Sequence, residues 1–495
     1  MPIRFPIIIL IFIALFGGLT YIFHLFGLVT PANEVYARFG ALGIFIASFA
    51  FLGWQEAKNH RFSWDDIYKN NTLIIVSLSA VLASLFLKME IGFYAIGFFA
   101  GASLIHFLYT RKFYPPNRLF YFVFLYAFLM FFGTIGTERG FHFPDRTLAF
   151  YVLPLSFCFF RFSKVVLLKI AEVFFKTAIV FLSICVLYWW YNFLHLDANF
   201  VEWITKKTIY SAEMDWTPQR EQIARTWGEF ALDANFSLFS AYYYVSSWTY
   251  YFHPSFLSLV LFFGLIIGFY LYHQKNIFPT ITKFELILYI VLCLFVLLFL
   301  QSRVGIIVFL FILIVTGLYY LKLKTKYFKI GLVIYLLLGC ASLLVLNKPM
   351  SEFIEDDIRT SYRHLALGYI QDNFWWGGGF DQQRTVLEQQ AETMKDTLPY
   401  SVYPHINHPI DYVHNQFLGD MVQFGIWGLL ALLLMLFAIA RYAIKSRSYL
   451  LQMMLLIMVL FMMIEEPLYV QAGIIRFTVF LTFFVAIGEV HKVKK

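Results

Sequence analysis

Charge is what this chain has least of. Asp, Glu, Lys and Arg make up 14% of its 495 residues, against 60% hydrophobic and 21% aromatic, with a mean hydropathy of +0.70. That balance excludes an ordinary soluble domain. Cysteine is sparse as well: Cys158, Cys185, Cys293 and Cys340 lie in apolar runs without CxxC spacing. A disulfide framework and a thiolate metal site are thereby unsupported, and the four read as small core residues. Neither GxxxxGK[ST] nor GxGxxG occurs. Nucleotide-driven chemistry has no anchor, no cofactor is expected, and energy must come from the substrate or a gradient. Internal repeats and low-complexity tracts are also missing.

What is present is a succession of apolar runs long enough to cross about 30 Å of hydrocarbon. They fall at roughly 5–28, 37–54, 72–88, 91–110, 119–135, 147–160, 174–194, 252–272, 284–301, 304–320, 329–346, 416–440, 449–464 and 468–489. The expectation is an all-α polytopic membrane protein of about 12–14 transmembrane helices. The first run begins Met1-Pro2-Ile3-Arg4 and reads as an uncleaved signal anchor.

Basic residues recur in alternate short loops, among them Arg111, Lys112, Arg118, Arg161, Lys275, Lys283, Arg441, Lys445 and Arg447. The positive-inside rule assigns those loops and both termini to the cytoplasm. The net charge of +8 then reports topology and contact with anionic membrane lipid, not nucleic-acid binding. The chain divides into N-terminal helices (1–194), an outer loop (195–251), a central set of helices (252–346), a second outer loop (347–413) and C-terminal helices (414–495). Within the second loop, Phe353, Ile354, Ile358, Tyr362, Leu365, Leu367 and Ile370 form an apolar stripe at helical spacing. Such a helix suits the membrane surface, with Trp375-Trp376 at headgroup level and Gly377-Gly378-Gly379 breaking it.

Polar chemistry gathers where the second outer loop meets its helix. Asp411 stands at an N-cap position, which puts His414 in the first helical turn, where the helix dipole disfavours imidazolium. A neutral imidazole there is a competent general base; an interfacial His capping backbone groups is the plainer reading. Gly425 and Gly428, on a straight helix, lie about three turns deeper and admit close approach of a helix or lipid chain. Arg303, Arg363, Arg359 and Arg476 sit near outer helix ends, against the positive-inside trend. Their guanidinium forks suit phosphate oxygens, although each also reads as a solvated or ion-paired residue; Glu465-Glu466 are partners available to Arg476. Asp420 offers a proton path or a partner for a buried Arg. His253 opens a helix with Pro254 and can line the same cavity. His405-x-x-His408-x5-His414 with Glu355-Asp356-Asp357 matches no standard zinc spacing, so no metal is expected.

The pattern H-[NSQ]-x9-G-x-x-G, here His414-Asn415 followed by Gly425-Ile426-Trp427-Gly428, resembles the signature of the bacterial O-antigen ligases. Arg363-x-x-x-Leu367, Ser302-Arg303-Val304-Gly305, the Asn373–Phe380 glycine turn and His253-Pro254-Ser255 resemble further elements of that family, across about residues 250–440. The pattern departs at two points: Trp376 replaces a usual proline before the glycines, and Ser302-Arg303 continues into Val304. The resemblance implies a C-type glycosyltransferase-like fold and an active site facing the periplasm. It also implies inverting, metal-independent transfer of a glycan from undecaprenyl diphosphate to lipid A–core. His414 would be the base. Arg363 and Arg303 would meet the diphosphate, with Arg476, Arg359, His253, Asn415, Gly425 and Gly428 in the substrate site. O-antigen or exopolysaccharide polymerases and protein O-oligosaccharyltransferases share these motifs, so both remain alternatives. A transporter of lipid-linked sugars is an alternative of another class, predicting broken helices in paired halves.

Overall fold

The computed structural model describes residues 72–86, 89–133, 147–194, 254–274, 281–299, 303–321, 357–380, 382–393 and 413–490. The expected spans at 5–28, 37–54 and 329–346 lie outside them, as do His253, His405, His408 and Asp411. Among the described residues every regular element is helical. The α-helices are α1 (Thr72–Ser84), α2 (Met89–Thr110), α3 (Leu119–Phe132), α4 (Leu148–Ser156), α5 (Lys164–Leu194), α6 (Pro254–His273) and α7 (Lys283–Phe299). They continue with α8 (Arg303–Leu321), α9 (Asp357–Asp372), α10 (Gln383–Thr393), α11 (Gln416–Ser446), α12 (Tyr449–Met462) and α13 (Gln471–Val490).

Stretches of α2, α5, α6, α11 and α13 are long and apolar enough to cross a membrane, and α1, α3, α4, α8 and α12 carry shorter apolar runs. The chain is an all-α polytopic membrane protein. Local chemistry sets the helix ends. Thr282 and Glu285 form a capping box at the head of α7: the Thr282 N–H donates to the Glu285 carboxylate at 2.6 Å, and the Glu285 N–H to the Thr282 hydroxyl at 3.1 Å. Ser448 caps α12, its hydroxyl accepting from the Leu451 N–H at 3.4 Å.

The chain folds as two compact units, Met1–Ala102 with Ser163–Phe309 and Ser103–Phe162 with Leu310–Lys495. In the first, α5 packs against α1, α6 and α7. Its core is aromatic: Phe86 stacks on Phe174 with centroids 5.3 Å apart, and the buried Tyr289 hydroxyl donates to the Leu261 carbonyl at 2.8 Å.

In the second unit, α3 and α12 run along α11, while α4 packs on α13. One end is tied by charge. Asn117 donates to Glu489 at 2.9 Å, Arg161 pairs with Glu489, and the Arg161 guanidinium lies 5.1 Å from the Tyr114 ring centroid. The other end carries the polar residues of interest, where α9 and α10 pack on the head of α11. The expected amphipathic helix is therefore real, but its stripe is not spread on the membrane surface. Tyr362, Leu365, Ala366 and Ile370 of α9 bury against Val386, Leu387 and Ala391 of α10 and Val413 and Val422. Packing α10 over that stripe removes it from solvent, a solution that leaves Leu367 half-exposed on the far side.

Candidate functional site at the head of α11

The head of α11 departs from the expected geometry in two ways. Asn415, not Asp411, is the N-cap: its side-chain oxygen accepts from the Leu418 N–H at 3.1 Å, and its amide donates to the Met463 carbonyl at 3.1 Å. His414 thus precedes the helix instead of lying in its first turn, with a left-handed φ of 55°. Extended backbone at the cap (φ −158°, ψ 112°) is the usual N-cap conformation and suits Asn.

The second departure is a break. Gly425 has φ 62° and ψ −152°, which only glycine adopts without strain, and α11 bends sharply there. The bend is strong enough that a Cβ on Gly428 would lie 2.6 Å from the Asp420 carbonyl oxygen. In a straight helix those residues are about 12 Å apart along the axis. The spacing of Gly425 and Gly428 therefore does not mark one face of a continuous helix. It marks a hinge point and the surface on which the two halves meet.

The glycine run after α9 fills the break. Backbone groups released by it pair with this run: Gly378 N–H with Val422 O and Gly379 N–H with Gln423 O, both at 2.8 Å. Ile426 N–H reaches Phe374 O at 2.8 Å, and Phe380 N–H reaches Gly133 O at 2.8 Å. Orphaned buried amides and carbonyls are costly, so the two glycine segments satisfy each other. Trp375, Trp376 and Trp427 stand on the outside of this junction, 60%, 77% and 45% exposed, as interfacial anchors would.

His414 meets a carboxylate. Its Nδ1 lies 3.2 Å from Glu465 Oε2, in the connection between α12 and α13, and Glu465 is buried. An ionised carboxylate only accepts, so Nδ1 carries the proton and Nε2 presents a lone pair. Among the described residues nothing hydrogen-bonds Nε2. The Tyr362 ring lies parallel to the imidazole, within 9° and with centroids 6.3 Å apart. Arg363, next on α9, is half-buried, and its Nε meets no hydrogen-bond partner among the described residues. The Nε is itself buried, and a guanidinium fork is suited to an anion.

Behind the dyad is a buried polar network that sequence reasoning missed. Asp420 accepts from the Tyr126 hydroxyl at 3.0 Å, from the Gln416 amide at 3.0 Å and from the Tyr469 hydroxyl. Two phenols and an amide are thus its side-chain partners among the described residues. Beside it runs a relay in which the Gln423 amide donates to Gln383 Oε1 at 2.9 Å and the Gln383 amide to Glu466 Oε1 at 3.0 Å. Burial pushes the Glu466 carboxyl up to about 8. The signals were Gln416 and Asp420 four apart in an apolar helix, and Glu465-Glu466-Pro467 between two apolar runs.

The remaining candidates are placed as follows. Arg476 is buried within α13, its Nη1 donating to the Ala472 carbonyl at 2.9 Å. Arg359 lies on α9 one turn before Arg363, and Arg303 begins α8; the side chains of both lie outside the described residues. Among the described residues no group of three His, Cys, Asp or Glu side chains is poised to hold a metal.

Residues 288–433 match the family model for the O-antigen ligases. That segment is similar to the O-antigen ligase domain. That segment includes Arg303, Arg359, Arg363, His414, Asn415, Gly425 and Gly428, and it supports membership of the O-antigen ligase and polymerase superfamily. Glu465, Glu466 and Arg476 lie beyond the matched residues. No curated protein matches the chain.

Proposed function

We propose that this protein is an O-antigen ligase of the bacterial inner membrane, transferring a glycan from undecaprenyl diphosphate to lipid A–core on the periplasmic face. The observation that carries the reading is the contact between His414 Nδ1 and Glu465 at 3.2 Å, next to the ligase domain's own His-Asn motif. A carboxylate on one ring nitrogen fixes the tautomer, raises the basicity of the other and steadies the imidazolium that forms.

The reaction then balances. The acceptor hydroxyl gives its proton to His414 Nε2 as its oxygen bonds the anomeric carbon from the face opposite the leaving group. The bond from that carbon to the diphosphate breaks with inversion, and undecaprenyl diphosphate departs. Diphosphate is already a good leaving group, so the protein's task is to meet its developing charge with cations. Arg363 is the candidate for this role, its buried Nε unpartnered among the described residues, with Arg303 as its proposed companion and Arg359, Arg476 and His253 in the wider substrate site. No metal or cofactor is required by this chemistry.

The test is glycan transfer in a knockout strain complemented with His414→Ala at parental protein level. Loss of transfer is expected; full transfer by that variant rejects His414 as base. The knockout itself separates the readings. A missing ligase leaves long chains on undecaprenyl carrier, whereas a missing polymerase leaves core bearing at most one repeat.

A further inference from the structure

Glu466 is a fully buried carboxyl without a task in the transfer chemistry. Its surroundings are specific. From α10, Gln383 donates to Oε1 at 3.0 Å; from α11, Gly419 lies so close that a Cβ there would be 2.8 Å from Oε2. Asp420 of α11, Tyr126 of α3 and Tyr469 of its own connection face it as the neighbouring titratable groups.

This arrangement is a brace. His414 is held in left-handed backbone, which a non-glycine residue adopts at a cost and keeps only where the surroundings impose it. Oε2 of Glu466 lies against Gly419, whose N–H donates to the Asn415 carbonyl at 2.8 Å just after His414, and Glu465, its chain neighbour, meets the ring. Gln383 in turn is oriented by Gln423, whose own carbonyl accepts from Gly379 at the break of α11. We infer that Glu466 is a positioning residue that holds the His414 loop for transfer, locked in place by Gln383 and Gln423. The inference rests on the proposed role of His414.

Protonation follows from the same geometry. Two buried carboxyls share this region, and three donors converge on Asp420 while one side-chain donor serves Glu466. Glu466 stays neutral up to about 8, pushed there first by burial. A neutral Glu466 is imitated by Gln and not by Met.

The experiment uses the full chain in proteoliposomes, with the host's undecaprenyl-diphosphate-linked glycan as donor and lipopolysaccharide lacking O-antigen as acceptor. The variants are Glu466→Met, Glu466→Gln, Gln383→Leu and His414→Ala, each measured for kcat, donor KM and pH profile. Misplacing a catalytic group by about 1 Å costs on the order of 100-fold, so Glu466→Met should lose at least about tenfold in kcat, with donor KM within about twofold. Glu466→Gln should keep kcat within about threefold of the parent at neutral pH and lack the parent's decline above about 8. Parental kcat in Glu466→Met, or equal losses in the Gln and Met variants, overturns the inference. If Glu466→Met fails to fold, Gln383→Leu decides: a fall in kcat at constant KM supports the brace, and unchanged kcat overturns it. Full activity of His414→Ala would instead reject the base, an outcome distinguishable from any result at Glu466.

Discussion

Glu465 Oε2 sits 3.2 Å from the Nδ1 atom of His414, although 51 residues separate them in the chain. The contact makes a sharp prediction because a carboxylate and a carboxamide are nearly isosteric but instruct the ring differently. Gln at position 465 can donate to Nδ1 and so stabilise the tautomer whose Nε2 carries the proton. Such a ring cannot take a proton from the acceptor. Glu465→Gln should lower kcat by about 10²–10⁴-fold with little change in donor KM, read in a vesicle transfer assay. A loss under about threefold would show that the carboxylate does not set the tautomer.

The break in α11 predicts where stability is concentrated. Gly425 combines a positive φ with the Trp375 and Trp376 backbone lying directly against it. Alanine there must both strain the backbone and push the glycine run out of the break, parting the three backbone hydrogen bonds that join it to α11. Gly425→Ala should cost more than about 2 kcal/mol and reduce the folded protein recovered from membranes. Gly377→Ala, with φ 65° and the Gln423 carbonyl carbon 2.6 Å from the added Cβ, should behave alike. Gly97→Ala is the control, since its Cβ would meet nothing within 4 Å. Equal detergent-solubilised yield for all three would contradict this reading.

These glycines also mark where a sequence stops being informative. The apolar runs gave most described helices to within a few residues, because hydrocarbon imposes a length and forbids unpaired backbone. The run at 416–440 looked like one straight helix for the same reason, since hydropathy is blind to a single φ. His414 and Arg363 were legible from residue type and position. Their partners were not. Glu465 reaches His414 from another helix connection, and the helix Gln383–Thr393, polar on average, has no apolar period strong enough to announce it. Of the expected stripe, Tyr362, Leu365 and Ile370 are buried while Leu367 is half-exposed and Phe353 and Ile354 lie outside the described residues, and its partner could not be named without α10.

Glu466 gives a pH dependence of stability with a definite sign. Its carboxyl is raised from an ordinary 4.5 to about 8 by burial. A group with a raised folded-state pKa contributes stability that is fully present below its unfolded value and is lost as pH rises through the folded one. The parent protein should therefore melt at progressively lower temperature between pH 4.5 and about 8, with the loss complete above that. Glu466→Gln cannot ionise and should lose this slope, so its melting temperature relative to the parent rises from pH 6 to pH 9. Parallel melting curves for parent and variant in detergent across that range would exclude an ionising Glu466.

Asp420 poses the opposite case, a carboxylate whose neighbours are all donors. Removing it leaves the Tyr126 and Tyr469 hydroxyls and the Gln416 amide without their common acceptor, all of them buried. Gln416 is also held by the Leu468 N–H at 2.9 Å, so the disturbance reaches the connection that carries Glu465 and Glu466. Each orphaned buried group costs about 1–3 kcal/mol, and breaking a network costs more than its pairs taken singly. Asp420→Ala should accordingly destabilise by at least about 3 kcal/mol, seen as loss of folded protein. Asp420→Asn retains one acceptor oxygen but turns an amide toward a donor, so it should fall between Ala and the parent. If Asp420→Ala melted like the parent while losing transfer, the residue would belong to the chemistry and not to the scaffold behind it.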